Sequence, residues 1–202
     1  MVLEHEGLRL MPLSGPEIAL HLEALARVRM RVFRDWPYLY AGSLEYERQY
    51  LQTYLRCAGS LAVLVWDHGH CIGATTAIPL ADESTEVRAP FEGVGLDVER
   101  IDYFGESVLL PEYRGLGLGV KFFELREAHA RAQGLNLCAF CAVERDDRDP
   151  ARPVDYVPND AFWRRRGYQP RPDLRTSFAW PDLGQEQSTE KPVSFWLKNL
   201  DA

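Results

Sequence analysis

The sequence predicts an α/β domain, a mixed central sheet of about seven strands flanked by helices on both faces. Three observations predict it. Strand-like and helical stretches alternate in the order strand, two helices, three strands, helix, strand, helix, two strands. A glycine-rich turn, PEYRGLGLG at 111–119, joins an apolar strand to an amphipathic helix. With 202 residues, 46% of them hydrophobic and 26% charged, the chain suffices for one domain with a full core, so 1–202 is read as a single domain. The net charge of −7 argues against nucleic acid or an anionic membrane as partner. No apolar run approaches the roughly 18 residues of a membrane span. The charged start MVLEHEGLRL lacks the apolar centre of a signal peptide. Four cysteines without a disulfide framework point to a reducing, cytoplasmic setting.

GLRLMPL at 7–13 alternates and reads as the first strand. Ser14, with Glu17 three residues on, predicts the start of a helix over 15–35, and Ile18, Leu22, Leu25, Val28 or Arg29, and Val32 form its core-facing stripe. Trp36-Pro37 ends it. An aromatic loop, WPYLYAGS, leads to a second helix over 44–57 capped by Ser43. SLAVLVW and CIGATTAIPL are strands about a DHGH hairpin turn, whose two histidines lack a third metal ligand. Residues 81–99 are polar, with a short helix or ordered loop at APFEGVGLDVER. A strand over 103–110, the glycine turn, and a helix from about Gly117 follow, with Gly134 ending the helix. His129, on that helix, reads as a packing histidine. LNLCAFCAV at 135–143 is the next strand, in which Cys138 and Cys141 point to opposite faces, so this C-x-x-C is structural, not redox-active. The charged, proline-rich 144–158 is a long loop. A short helix over 160–166 stops at Gly167, and strands over 176–180 and 192–200 close the chain around an exposed GQEQSTEK linker.

The glycine turn carries the chemistry. Glycines let a backbone take unusual dihedrals and approach a ligand, and the N–H groups opening a helix have no intrahelical partner. Such a turn binds an anion, most often a phosphate. The dinucleotide spacing G-x-G-x-x-G fails, because Val120 or Phe122 stands where the third glycine is needed, and Lys121 follows Val120, not the glycine a Walker loop requires. What fits is R-x-x-G-x-G, formed by Arg114, Gly117 and Gly119 after a strand and P-E-Y.

In V-L-L-P-E-Y-R-G-L-G-L-G the chain resembles the GNAT superfamily of acyl-CoA N-acyltransferases. The resemblance implies a mostly antiparallel GNAT-like sheet and acetyl-CoA as the acyl donor, with no metal. It implies that Arg114, Gly115, Leu116, Gly117, Leu118 and Gly119 hold the coenzyme A pyrophosphate. It also implies that Ser107, Val108, Leu109 and Leu110 offer main-chain N–H groups to the pantetheine arm, with Leu109 stabilising the oxyanion. The resemblance implies an acceptor that is a primary amine of a small molecule or peptide. Glu106 is the first candidate base, Glu144 the alternative, and a structural salt bridge for Glu106 stays open; the family's usual strand glutamate falls on Tyr103. The family's tyrosine acid falls on Trp163, which either packs on the pantetheine or fills the core, and Tyr156 is the substitute acid. The family's usual asparagine falls on Tyr156. The run Arg164-Arg165-Arg166 is a solvated helix face before it is a phosphate site. By family layout Arg34, Tyr38, Tyr40 and Glu144, with Asp146, Asp147 and Asp155, line a site suited to a polar or cationic acceptor; that Trp36, Tyr38 and Tyr40 instead fill the space between the two helices stays open. A homodimer through the C-terminal strands also follows from resemblance. The alternative function is a non-catalytic acyl-CoA sensor.

Overall fold

The computed structural model describes residues 2–201. Its strands form one sheet because apolar residues alternate or run continuously where both faces are covered. β1 (Leu3–His5) and β2 (Leu8–Leu13) are a hairpin turned at Glu6-Gly7, both with positive φ. β1 escapes the sequence pattern because it is short and charged. The predicted first helix is wound as a 3-10 helix over Gly15–His21 and as α1 over Leu22–Phe33. Glu17 caps its start, accepting the Ser14 N–H at 3.0 Å. The second helix is broken at Leu51 into α2 (Leu44–Tyr50) and α3 (Gln52–Arg56), with the Ser43 hydroxyl accepting the Tyr46 N–H.

β3 (Leu61–Asp67) and β4 (His70–Pro79) form the expected hairpin. In β3, Leu61, Val63 and Val65 enter one core layer and Ala62 and Leu64 the other, which explains its unbroken apolar run. α4 (Thr85–Gly93) precedes a strand that comes in two pieces, β5 (Ile101–Tyr103) and β6 (Ser107–Leu109). α5 (Leu118–Ala132), β7 (Leu137–Val143) and α6 (Asp160–Arg165) follow. β8 (Gln169–Pro181) and β9 (Ser188–Asn199) outrun the predicted strands. Prolines 170 and 172 hide the start of β8, where pairing slips between Arg171 and Arg175, and the polar GQEQSTEK stretch hides the start of β9.

The sheet order is β1-β2-β3-β4-β5-β7-β9-β8, with β6 beside β4. Only β5 and β7 run parallel. One core layer packs Ile18, Leu25, Leu51, Tyr54 and Phe91 against the face carrying Tyr103, Val108 and Phe195. The other packs Leu118, Phe122 and Phe123 of α5 against Leu10, Phe104, Phe140 and Trp196. Cys138 enters the second layer and Cys141 borders the first, opposite faces as expected. His129 Nε2 lies 2.9 Å from the Gly59 carbonyl, a packing role. Among the described residues no helix is long and apolar enough to cross a membrane.

Asp102 in β5 is fully buried, and neither carboxylate oxygen has a hydrogen-bond partner. Burial pushes its pKa up to about 7 against the pull of Arg126. A carboxyl with a raised folded-state pKa keeps its proton in the native chain after the unfolded chain has lost it. Stability therefore falls as pH rises from about 4 to about 7 and levels off above. Replacing Asp102→Asn should flatten part of that fall, by up to about 4 kcal/mol. Urea unfolding of both proteins across this window measures it. Glu83 shifts the same way, so the difference between the proteins isolates Asp102. Parallel curves would refute the assignment.

Candidate active site

β5 sits between β4 and β7, and the Phe104 N–H still reaches the Ala139 carbonyl at 2.8 Å. Beyond it the strand stays with β4 and leaves β7. The register decides which main-chain groups are then free. Thr76 donates to the Glu106 carbonyl at 3.1 Å, and Leu110 donates to the Ile72 carbonyl at 3.0 Å. In an antiparallel pair these groups alternate. Positions 106, 108 and 110 thus face β4, while 107 and 109 face the gap. This corrects the expectation for Val108 and Leu110, whose N–H groups are turned to β4. Val108 is also fully buried. Ser107 and Leu109 keep gap-facing N–H groups, and Arg114 Nε approaches the Leu109 carbonyl at 3.4 Å.

Gly105 marks the point of divergence. A Cβ there would overlap the Tyr54 hydroxyl, so only glycine lets α3 close onto the strand. At the other end of β6, Gly117 has φ 77° and opens α5. The helix begins with Val120 and Lys121 donating to the Gly117 carbonyl. Among the described residues, the N–H groups of Gly115, Leu116, Gly117, Leu118 and Gly119 meet no acceptor. Five consecutive free donors beside a helix dipole favour an anion. Arg114 is exposed next to them. The Leu118 side chain is buried in the core, so only its main chain is available, and the Leu116 carbonyl is occupied by His5 at 2.8 Å.

Two cavities meet at the divergence. The larger, about 760 Å³, runs between β6 and β7 under α5 and α6, and Ser107, Leu109, Gly119, Arg126 and Trp163 line it. The smaller, about 500 Å³, opens between α1, α2, α4 and the β8–β9 hairpin. Phe33, Tyr38, Gly105, Glu106 and Cys141 belong to both walls.

A buried ion triad fixes the shared wall. Arg29 Nε donates to Glu47 at 2.6 Å and its Nη1 pairs with Glu106. The guanidinium also lies 4.4 Å from the Tyr50 ring centre, and the Tyr50 hydroxyl reaches Glu106 at 3.4 Å. The open question for Glu106 resolves as both a structural salt bridge and a cavity wall. Burial raises its pKa while Arg29 pulls it down, and the balance is upward. Its Oε1 has no hydrogen-bond partner. For Arg29, burial works against the charge but Glu106 and its neighbours outweigh it.

Other residues converge that the sequence reading passed over. Glu83, buried at the floor of the smaller cavity, has its pKa raised to about 7 by burial. Arg126, fully buried on α5, stacks over Phe104 at 4.1 Å and is pressed down to about 10 by burial. The signals present in the sequence were weak ones: an arginine inside an apolar helical stripe for Arg29 and Arg126, and a lone acid in a polar stretch for Glu83.

Tyr156, Trp163 and Glu144 line the larger cavity. Trp163 does so while packing edge-on against Phe140 and Trp196 at 5.0 and 5.1 Å, so core and cavity roles coincide. Glu144 is paired with Arg175 at 2.9 Å. Tyr38 lines both cavities and Tyr40 the smaller. Arg34 is a correction: at the exposed end of α1 it lines neither cavity, because the helix turns it to solvent. Asp146 and Asp155 line neither, and Asp147 lines only the larger. Arg164 lines the larger cavity, Arg165 and Arg166 neither. Among the described residues no group of three or more His, Cys, Asp or Glu side chains is placed to hold a metal ion.

The sequence profile described as Acetyltransferase (GNAT) family matches residues 25–154. No curated protein sequence matches the chain. Solved structures do match in fold. A ribosomal-protein-alanine N-acetyltransferase from Brucella melitensis superposes with a TM-score of 0.59 at 16% identity, over 94% of this chain and 99% of that one. An acetyltransferase from Streptococcus agalactiae gives 0.60 at 14%, over 96% and 99%. A PaiA N-acetyltransferase from Thermoplasma acidophilum, in complex with coenzyme A, gives 0.53 at 13%, over 95% and 98%.

Removing the cation at the shared wall leaves two buried carboxylates unpaired. Arg29→Met should lower unfolding free energy by about 3–5 kcal/mol. Urea denaturation measures this, and a loss under about 1 kcal/mol would remove the triad from its structural role.

Proposed function

The chain belongs to the acetyltransferase (GNAT) family, and from that premise we propose that it transfers an acetyl group from acetyl-CoA to a primary amine of a small molecule or peptide. One observation carries the reading: two cavities share a wall at Gly105 and Glu106, and the gap-facing N–H of Leu109 lies on the side of the larger one. The donor occupies the larger cavity with its pyrophosphate at the free N–H groups of 115–119, and the acceptor enters the smaller.

Direct transfer forms the C–N bond and breaks the C–S bond. One amine proton goes to a base, and the departing thiolate takes a proton. The Leu109 N–H supports the negative charge that gathers on the thioester oxygen, as fixed main-chain dipoles do without reorganisation. An alkylammonium has a pKa of about 10.4, so a base is useful at neutral pH. Glu106 serves through its unpartnered Oε1, with Arg29 and Tyr50 holding the other oxygen in place. Tyr156, on the wall of the larger cavity, is the proton source for the thiolate. The tie between Glu106 and Arg29 favours one second reading, a protein that binds acyl-CoA as a sensor without transfer.

Acetyl-CoA turnover with a panel of amines separates the two. Transfer to at least one amine supports the enzyme; tight coenzyme A binding with no transfer to any supports the sensor. Glu106→Gln should lower kcat by about 100- to 10,000-fold while coenzyme A affinity stays within about twofold. In the parent enzyme the acidic limb of kcat/KM should lie above the ordinary carboxylate range, since burial raises the Glu106 pKa. A second variant tests the loop. At φ 77° any L-residue is strained, a β-branched one most, and a Cβ at Gly117 would stand 3.4 Å from His5. Gly117→Val should therefore weaken coenzyme A binding by at least about tenfold; unchanged affinity in calorimetry would remove the loop from the donor site.

A further inference from the structure

The smaller cavity is lined by aromatic rings and by four acids. Glu83 and Glu106 lie buried at its floor, and Glu86 and Glu190 are exposed at its mouth. Arg29 is the sole basic residue on its walls, and it is consumed by Glu47 and Glu106. Two neighbouring cations are also engaged: Lys191 by the carbonyls of Trp180 and Thr189, the Thr189 hydroxyl and Asp182, and Arg145 by Asp182 and the Tyr38 carbonyl. Two polar atoms on the walls lack partners although their residues are more than nine-tenths buried: Glu106 Oε1, an acceptor, and the Tyr40 hydroxyl. A buried acceptor without a donor asks for a donor from a ligand. Tyr46, half exposed, presents ring area on the wall, a surface that favours a cation or its methylene stem, whereas the Trp180 ring is already covered by Lys191 and Tyr38.

We propose that the acceptor is a small aliphatic dication, whose reacting amine sits at the Glu106 floor and whose second ammonium group is held at the mouth by Glu86 and Glu190. The inference rests on the acetyltransferase reading only for the fate of the first amine. Recognition itself is a matter of charge and length. Glu190 is already engaged by the Ser177 hydroxyl, which holds it in place, and as an exposed carboxylate it keeps capacity for a second donor. Two exposed ion pairs contribute a modest selectivity, screened by salt.

The test compares α,ω-diaminoalkanes of increasing spacer length with n-alkylamines of the same carbon number. Binding to coenzyme A-saturated protein is read by calorimetry, and acetyl transfer is read from thiol release. At one spacer length the diamine should bind about tenfold tighter than its monoamine at low ionic strength. That preference should fall toward one in the E86Q/E190Q double variant, whose changes are at exposed positions. Equal binding of diamines and monoamines overturns the inference, and so does a preference that survives the double variant. Transfer to monoamines without diamine preference overturns it while leaving the acetyltransferase reading intact. Diamine preference in binding without any transfer does the reverse.

Discussion

One strand cannot hydrogen-bond fully to two neighbours that diverge, and the architecture of this protein follows from where that conflict is placed. β5 is paired on both sides; β6, three residues later, has only β4. An unpaired main-chain edge inside a domain is costly unless something else meets it. The chain accepts the cost at Ser107 and Leu109, and both cavities, the shared wall and the following loop are arranged around that edge. The helices that pack on the two faces keep the strands from closing the gap, α1 and α3 on one side and α5 on the other.

Keeping the gap open needs a rigid wall, and here that wall is ionic. Arg29 enters from α1 and holds one carboxylate from α2 and one from the strand junction. Burial raises the Glu106 pKa, Arg29 pulls it down and the neighbouring Glu47 adds to the rise, so the balance is upward, while the ion pair fixes the carboxylate's position. Stability and the proposed chemistry thus draw on the same three side chains. Arg126 does a comparable job from the opposite face, lying over Phe104 with its Nη1 3.4 Å from the Glu106 carbonyl.

Much of this was readable before any coordinates. Alternation and caps place most elements, and the spacing of Arg114, Gly117 and Gly119 selects an anion-binding turn while excluding the dinucleotide and Walker patterns. What escaped has physical reasons. β1 is too short and charged to show a period, and prolines disguise the start of β8. The break between β5 and β6 has one faint sign in the sequence, Gly105 inside a strand-like run; hydrogen-bond phase, which distinguishes Leu109 from Val108, is a property of pairing and not of composition. Family layout put Arg34 at the acceptor site, yet it stands five residues, about 1.4 helical turns, beyond the inward-facing Arg29 and so points away from it. The acids of the smaller cavity, Glu83 just before α4, Glu86 on α4, Glu106 between β5 and β6 and Glu190 on β9, come from distant parts of the chain, so no local spacing could announce the set.

Main-chain donors have an evolutionary corollary. Where recognition is done by N–H groups at Leu109 and along 115–119, nearly any residue can supply the donor, and selection acts by exclusion: proline is the one side chain that deletes it. Such a site can drift in sequence while keeping its chemistry. A fold shared with solved structures at 13–16% identity is consistent with that freedom. If the smaller cavity takes the acceptor, as proposed, divergence will be concentrated there, where side chains rather than backbone line the walls.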